Sequence, residues 1–418
     1  MKNIIYDTSI HIYGTVIKSV ALFNNKAKLF VDGRKNWQSD LSDWKKQNNS
    51  DSIIWFHCAS LGEFEQGKPL IEAFKKKYPE SKIVLSFFSP SGYEIRKNFT
   101  GADYITYLPL DTYFNANTFI DILKPDMVFF VKYEYWYNYL TILQNKKIPT
   151  FLFSGIFRPK QIFFKWYGLF FKNILKKFSH LFVQNQSSVF LLNNIGINNV
   201  SVAGDTRFDA VWSNFQKSNQ IEIVEKFKQT NKLFIVGSCW QEDFDVLLPF
   251  INDNNSSIKF IIAPHEIKTD EIKKWRNKIQ KKTFLYSESK VTNSLSDHQV
   301  LIIDNIGMLS SLYQYADLVW IGGAYKKGLH NTLEAAIYGL PLFWGDKNYI
   351  KFQEANDLLE KKCAFVIKNT EDLITTLNTL GEKNLFDIQK NASEYFKQNI
   401  GGTAKIMKHI ENEISKNE

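Results

Sequence analysis

Short apolar runs separated by helical patterns recur almost without interruption along this chain, and that rhythm limits what it can fold into. Ser52–Cys58, Lys82–Phe88, Tyr104–Leu108, Met127–Val131, Thr150–Ser154 and Leu181–Val183 occupy the first half. Leu233–Gly237, Lys259–Ala263, Val300–Ile303, Leu318–Ile321 and Leu342–Trp344 occupy the second. Most are rich in Val, Ile and Phe without strict alternation, the pattern of strands buried on both faces of a parallel sheet. Helical segments such as Gly67–Lys77 and Leu329–Tyr338 lie between them. Such alternation predicts doubly wound α/β domains. At 418 residues the chain exceeds one compact core, so two domains are expected, facing each other across a central cleft. The boundary falls near Asp205–Lys232, where the apolar VSVAGD gives way to a polar stretch before LFIVG. The tail, Asn384–Glu418, is helical and polar, and DNNSS, Asp253–Ser257, reads as a short polar loop.

The formal charge of +9 favours an anionic partner: a nucleic acid, a membrane surface or a phosphorylated substrate. No nucleic-acid-binding module is visible, which disfavours the first. Three cysteines, Cys58, Cys239 and Cys363, show neither metal-ligand spacing nor a disulfide framework and point to a reducing compartment. No P-loop, dinucleotide fingerprint or metal cluster appears.

In open α/β sheets, ligands bind outside the carboxyl ends of the strands, so the residues following each strand carry the functional information. GGAYKKGLHNTLEAAIYGLP, Gly322–Pro341, follows one of them. Its glycines permit close backbone approach, and its helix start, with His330, Asn331 and Glu334, suits an anion and a ribose hydroxyl. Pro264-His265 follows another strand, and Ile306-Gly307-Met308 forms a turn into a helix after a third. Together these make a nucleotide site. In the first half, Glu63 follows the strand ending at Cys58, Glu134 follows Met127–Val131, and Arg207 and Asp209 follow VSVAG. Glu63 has two readings: a carboxylate capping a helix dipole, or a general base presented by the scaffold. Arg207 and Asp209 either form a mutual salt bridge or serve the site.

Two segments suit a membrane surface. The N-terminal stretch is apolar but interrupted by Asp7, His11 and Lys18, and it lacks the ~18 continuous apolar residues of a spanning helix. It reads as an interfacial helix or as a helix packed on its own domain. Pro159–Ser179 contains no acidic residue, and Lys165, Lys172 and Lys176 fall on one helical stripe among aromatics. That is the pattern of a helix resting on an anionic membrane, the alternative being a buried aromatic helix with snorkelling lysines.

Taken in order, HCASLGEFEQGKPLI, SFFSPSGYE, YLPLD, KPDMVFFVKYEYWYN, AGDTRFD, GSCWQED, APHEI, DNIGMLSSLYQYAD and IGGAYKKGLHNTLEAAIYGLPLFWG resemble the 3-deoxy-D-manno-octulosonate (Kdo) transferases, over roughly Trp55 to Gly345. The resemblance implies a GT-B fold: two Rossmann-like domains, acceptor side first. It divides the chain into a membrane-associated segment at 1–35, an acceptor domain at 36–210, a donor domain at 211–390 and a C-terminal helix at 391–418. It implies inverting, metal-independent transfer of Kdo from CMP-Kdo to a lipid A precursor (lipid IVA), at the cytoplasmic face of a bacterial inner membrane and with no cofactor. By motif, Glu63 would be the base, with Glu134 and Arg207 stabilising the transition state. Pro264, His265, Ile306, Gly307, Met308, Asn331, Thr332, Leu333 and Glu334 would contact CMP. The chain departs from the family at His265, where arginine is common, at Met308, where glutamate is usual, and in SGIFRPKQ, where many members carry a serine- and arginine-rich run. Rival readings are a GT-B enzyme acting on a UDP-sugar (hexosyltransferase or epimerase) and a non-catalytic nucleotide-sugar sensor.

Overall fold

The computed structural model describes residues 3–48, 52–217, 220–253, 258–291 and 294–417. The chain divides into two compact units, Met1–Ala210 with Asn399–Glu418, and Val211–Gln398. Each is built on a seven-stranded sheet in which every pairing is parallel.

The strands of the first unit are β1 Ile53–Cys58, β2 Lys82–Phe87, β3 Tyr104–Tyr107, β4 Met127–Val131, β5 Thr150–Gly155, β6 His180–Val183 and β7 Val200–Val202, in the spatial order β3-β2-β1-β4-β5-β6-β7. Alternate residues of each central strand feed opposite cores. Ile53, Trp55, Val128 and Phe130 join one cluster with Phe119 and Tyr139. Ile54, Phe56, Phe129 and Val131 join the other with Phe64, Ile71 and Phe74. Burial on both faces explains the unbroken apolar runs. The helix Leu61–Lys77 lies close on β1 because Gly67 faces it: a Cβ there would meet Cys58 Sγ at 2.9 Å.

The second unit comprises β8 Lys232–Cys239, β9 Ile258–Pro264, β10 Thr283–Leu285, β11 Val300–Ile302, β12 Leu318–Ile321, β13 Leu342–Gly345 and β14 Ala364–Ile367, ordered β10-β11-β9-β8-β12-β13-β14. The short strands β10 and β14 have no counterpart among the expected runs. They sit at the two edges, where few apolar residues are needed. The loop expected at Asp253–Ser257 lies, after Asp253, outside the described residues.

Two expectations change. The tail is two helices, Glu382–Asn399 and Gly402–Asn417, broken at Gly401 (φ 96°). The second returns to the first unit and inserts Ile406, Met407 and Ile410 into its core. Pro159–Ser179 is not one helix. A short turn at Ile162–Phe164 and a helix at Leu169–Leu175 are separated by a reversal at Gly168, where a Cβ would lie 1.8 Å from the Ile162 carbonyl oxygen. Lys165, Lys172 and Lys176 therefore do not share one continuous helical stripe. Phe163, Ile174, Leu175 and Phe178 are buried, whereas Trp166 at 93% exposure, Tyr167 and Leu169 stand in solvent.

The N-terminal helix Ile4–Val20 packs through its polar side. Asp7 and Gly14 are buried, Asp7 Oδ1 accepts the Tyr113 N–H at 2.7 Å, and the Tyr6 hydroxyl donates to Asp111 Oδ2 at 2.7 Å. Ile4, Ile5, Ile12 and Val16 point outward.

Asp209 holds the returning helix in place, accepting the main-chain N–H of Gly401 and of Thr403, each at 2.6 Å. Asp209→Ala is expected to lower the stability of the first unit by about 1 kcal/mol, the usual worth of a helix cap. The loss would be read as a lower thermal midpoint with faster amide exchange in Gly402–Asn417.

Candidate active site

A parallel sheet opens a crevice where its crossovers reverse direction. In the first unit the reversal lies between β1 and β4, paired from Ile54 opposite Met127 to His57 opposite Phe130. Glu63 and Glu134 follow these two strands. Glu63 is half-buried in the first turn of Leu61–Lys77, with the Ser60 hydroxyl donating to its carboxylate. A Cβ added at the neighbouring Gly62 would meet only Ser60 Oγ, at 3.8 Å, so the main chain beside Glu63 is open to approach. The first turn places this carboxylate at the positive end of the helix.

Glu134 is buried at 7% exposure. Its Oε2 accepts the Trp136 indole N–H at 2.6 Å and lies 3.1 Å from His57 Nε2. His57, fully buried at the end of β1, also places Nδ1 2.9 Å from Ser86 Oγ. The adjacent Cys58 thiol is pushed well above its ordinary range, first by burial and then by the negative charges of Glu63, Glu134 and Glu65.

Arg207 does not pair with Asp209. Its Nε and Nη2 grip Asp205 Oδ2 at 2.9 and 2.7 Å, and its main-chain N–H meets Asp205 Oδ1 at 2.9 Å. Burial raises the Asp205 pKa, but the Arg207 charge and hydrogen bonds outweigh it and hold the carboxyl below its ordinary value. Gln66 donates to Asp205 Oδ1 at 3.0 Å from the helix that begins beside Glu63. Glu63, Glu134 and Arg207 thus each lie beyond the carboxyl end of a strand of the first sheet, after β1, β4 and β7.

In the second unit the reversal falls between β8 and β12. Trp240 follows β8, and Gly322, Gly323 and His330 follow β12. Trp240 Nε1 donates to His330 Nε2 at 3.0 Å, and the rings of Trp240, His265 and His330 stack, His265 lying 4.3 Å from each of the others between centroids. Because the indole can only donate, His330 Nε2 must be unprotonated. Burial, then the neighbouring His265, lowers the His330 pKa to about 4. Burial likewise lowers that of His265. Lys326 and Lys327 each hold Nζ 4.9 Å from the Trp240 ring centre, giving the stack a cationic rim. Asp243 ties the turn together, accepting N–H groups from Trp240, Gly323 and the Trp320 indole, and burial raises its pKa to about 6.

The other expected nucleotide contacts are distributed around this end of the sheet. Pro264 closes β9 and delivers His265 to the stack. Ile306 is exposed, Gly307 has φ 99°, and Met308 precedes the single turn Leu309–Leu312. The helix expected over Leu329–Tyr338 is shorter, Leu333–Ala336. Asn331 Nδ2 donates to Glu334 Oε1 at 2.9 Å, and Thr332 Oγ1 is buried without a hydrogen-bond partner among the described residues. The Leu333 side chain is core, so Leu333 could meet a ligand only through its main chain. A cavity of about 210 Å³ lies between Ser310, Ser311 and Glu334. Among the described residues no group of three or more His, Cys, Asp or Glu could hold a metal ion. His57, Trp240 and Asp243 were not among the expected site residues. Their signal was position: each stands within four residues of the end of β1 or β8.

The fold is that of the GT-B class. A UDP-GlcNAc 2-epimerase from Neisseria meningitidis bound to UDP-GlcNAc superposes with a TM-score of 0.61 at 16% identity, covering 85% of this chain and 98% of that one, a likeness of fold alone. The family model for 3-deoxy-D-manno-octulosonic-acid transferase (kdotransferase) matches residues 35–210. A 3-deoxy-D-manno-octulosonic acid transferase of Aquifex aeolicus (strain VF5) is 28% identical over 342 residues, 79% of this chain and 87% of that protein. One from Rickettsia bellii (strain RML369-C) is 26% identical over 372 residues, 85% of this chain and 86% of that protein. Over residues 35–210 the chain is similar to the Kdo transferase family.

The histidine stack gives the second unit a pH dependence. Both folded-state pKa values lie below the unfolded value of about 6.5, so the unfolded chain takes up more protons as pH falls. The resulting stability is complete above pH 6.5 and is lost on descent toward pH 4. The thermal midpoint is expected to fall through that window, and His330→Asn to flatten the fall.

Proposed function

We propose that this protein transfers Kdo from CMP-Kdo to a hydroxyl of a lipid A precursor of the lipid IVA type, with inversion and without a metal. The observation that carries the reading is the placement of two carboxylates, Glu63 and Glu134, at the β1–β4 reversal within the segment that matches the Kdo transferase family. A sugar hydroxyl is a poor nucleophile until its proton is removed, and Glu63, half-buried beside open main chain, is the base. CMP leaves as a phosphate monoester and needs positive electrostatics more than an acid. Arg207 and Glu134 are the groups assigned to the charge that develops in the transition state. For the donor, Glu334 reaches the ribose from the cavity it shares with Ser310 and Ser311, while the lysine-rimmed ring stack beside His265 and His330 faces the phosphate.

The acceptor is a phosphorylated lipid, and the first unit has the surface to meet one, at the cytoplasmic face of the inner membrane. No described helix is long and apolar enough to cross a membrane. The outward isoleucines of Ile4–Val20 lie on the element next to the exposed Trp166, Tyr167 and Leu169, since the Tyr6 and Phe170 rings are 6.0 Å apart. Lys165 is exposed beside them. Apolar side chains with a basic flank fit an anionic bilayer surface.

The test is transfer of labelled Kdo to lipid IVA in EDTA. Glu63→Gln is expected to lower kcat by about 10²–10⁴-fold, the usual worth of a general base. Label absent with wild type, together with UDP-sugar turnover, would replace the reading by a UDP-sugar enzyme. The pair Trp166→Ser and Leu169→Ser is expected to reduce cosedimentation with anionic vesicles several-fold while leaving the thermal midpoint unchanged, since both side chains stand in solvent.

A further inference from the structure

The chain Trp55–Ser86–His57–Glu134 crosses the first sheet beneath the candidate site, and its hydrogen positions follow from its donors. The Trp55 indole N–H donates to Ser86 Oγ at 2.8 Å. An indole nitrogen cannot accept, so Ser86 must send its own proton elsewhere. It has two targets: His57 Nδ1 at 2.9 Å and the Phe56 carbonyl oxygen at 3.5 Å. Sent to the closer one, it makes His57 Nδ1 an acceptor, whereas an Nδ1–H imidazole would leave the bare Nε2 lone pair facing the Glu134 carboxylate. The imidazole proton then sits on Nε2, 3.1 Å from Glu134 Oε2. The Trp136 indole Nε1 lies 3.3 Å from His57 Nε2 but gives its proton to the same Glu134 oxygen, at the much shorter 2.6 Å. Two N–H groups therefore fix Oε2, and Oε1 receives neither of them.

We propose that His57 is a positioning residue for Glu134, locked by Ser86 in its neutral Nε2–H form so that Glu134 turns Oε1 toward the reacting sugar with its negative charge intact. This rests on reading Glu134 as a group that meets the transition state. A neutral donor suits that task. An imidazolium would cancel the carboxylate charge, whereas imidazole orients it and leaves the charge available to an oxocarbenium-like sugar. The arrangement parallels the outer-shell partners that fix a ligand side chain without touching the reacting atoms.

Two measurements test it on the full chain. The first is steady-state Kdo transfer. His57→Leu is expected to lower kcat by about 10–100-fold, the range for such outer-shell partners, with the KM for CMP-Kdo unchanged. His57→Gln, whose amide N–H can reach the Nε2 position, is expected to restore most of the loss. In a Glu134→Gln background His57→Leu should cost less than about twofold, because the two residues act as one unit. Full activity in His57→Leu, or losses that multiply independently with Glu134→Gln, would overturn the proposal. The second is the nitrogen spectrum of ¹⁵N-histidine-labelled protein, with His57 assigned by its disappearance in His57→Gln. The Nε2–H tautomer between pH 6 and 8, perturbed by Glu134→Gln, is expected. An Nδ1–H tautomer or an imidazolium would overturn the proposal. If wild type transfers no Kdo, the functional reading fails, and the spectrum alone still decides whether His57 holds Glu134.

Discussion

A doubly wound sheet cannot reverse its crossovers without leaving the carboxyl ends of two neighbouring strands uncovered. Both units make that reversal beside their first strand, β1 in one and β8 in the other. These strands are buried on both faces and flanked by parallel partners, so the residues just beyond them are the most firmly held in each unit. Function placed there inherits positional precision from the core. Glu63 and His57 take it from β1, and Trp240 and Asp243 take it from β8. Without the packing of Phe56, Phe64 and Phe74 against the sheet, the helix carrying Glu63 would have no fixed starting angle.

Exposed crevices in a dry scaffold oblige buried polar groups to find partners, and the motif GDTRFD shows how closely that duty and chemistry overlap. Asp205 is buried, and stripping Arg207 from it would leave an unpaired interior carboxylate, a change worth about 3–5 kcal/mol. Arg207 is therefore structural through its grip on Asp205 whatever else its guanidinium meets. Two residues on, Asp209 serves neither Arg207 nor the crevice but the helix returning from the second unit. Of three charged residues within five positions, two thus pair with each other and the third caps a helix distant in sequence, which spacing along the chain does not reveal.

What the sequence disclosed follows the same division. Parallel strands announce themselves because burial on both faces demands uninterrupted Val, Ile and Phe, and all eleven expected runs end within a residue or two of observed strand ends. Edge strands such as Ala364–Ile367 carry little of that signal. Residues directly after central strands, Glu63, Glu134 and His265, were legible because topology alone assigns them a place. His57 was not, since a histidine inside an apolar run reads as core until Ser86 and Glu134 are seen on either side of it. Trp240 was hidden for the converse reason: an aromatic after a strand gives no hint that two histidines distant in sequence will stack upon it.

Amphipathicity misled where packing inverted it. The helix Ile4–Val20 was expected either to lie on a bilayer or to pack on its own domain; it packs on its own domain through its polar side and turns its isoleucines outward. Asp7 accepts from Tyr113 and Asn138, and Tyr6 donates to Asp111, so that side of the helix faces inward. Once those bonds set the rotation of the helix, Ile4, Ile5, Ile12 and Val16 have no side left but the outer one. At about 25 cal/mol per Å², leaving a row of isoleucines in water is a standing cost that burial against hydrocarbon would remove. The reversal at Gly168 acts to the same end by a different route. Breaking the helix there lets Phe163 and Phe178 enter the core while Trp166 and Leu169 are thrust out, so the surface beside Tyr6 is apolar because of how the interior is packed.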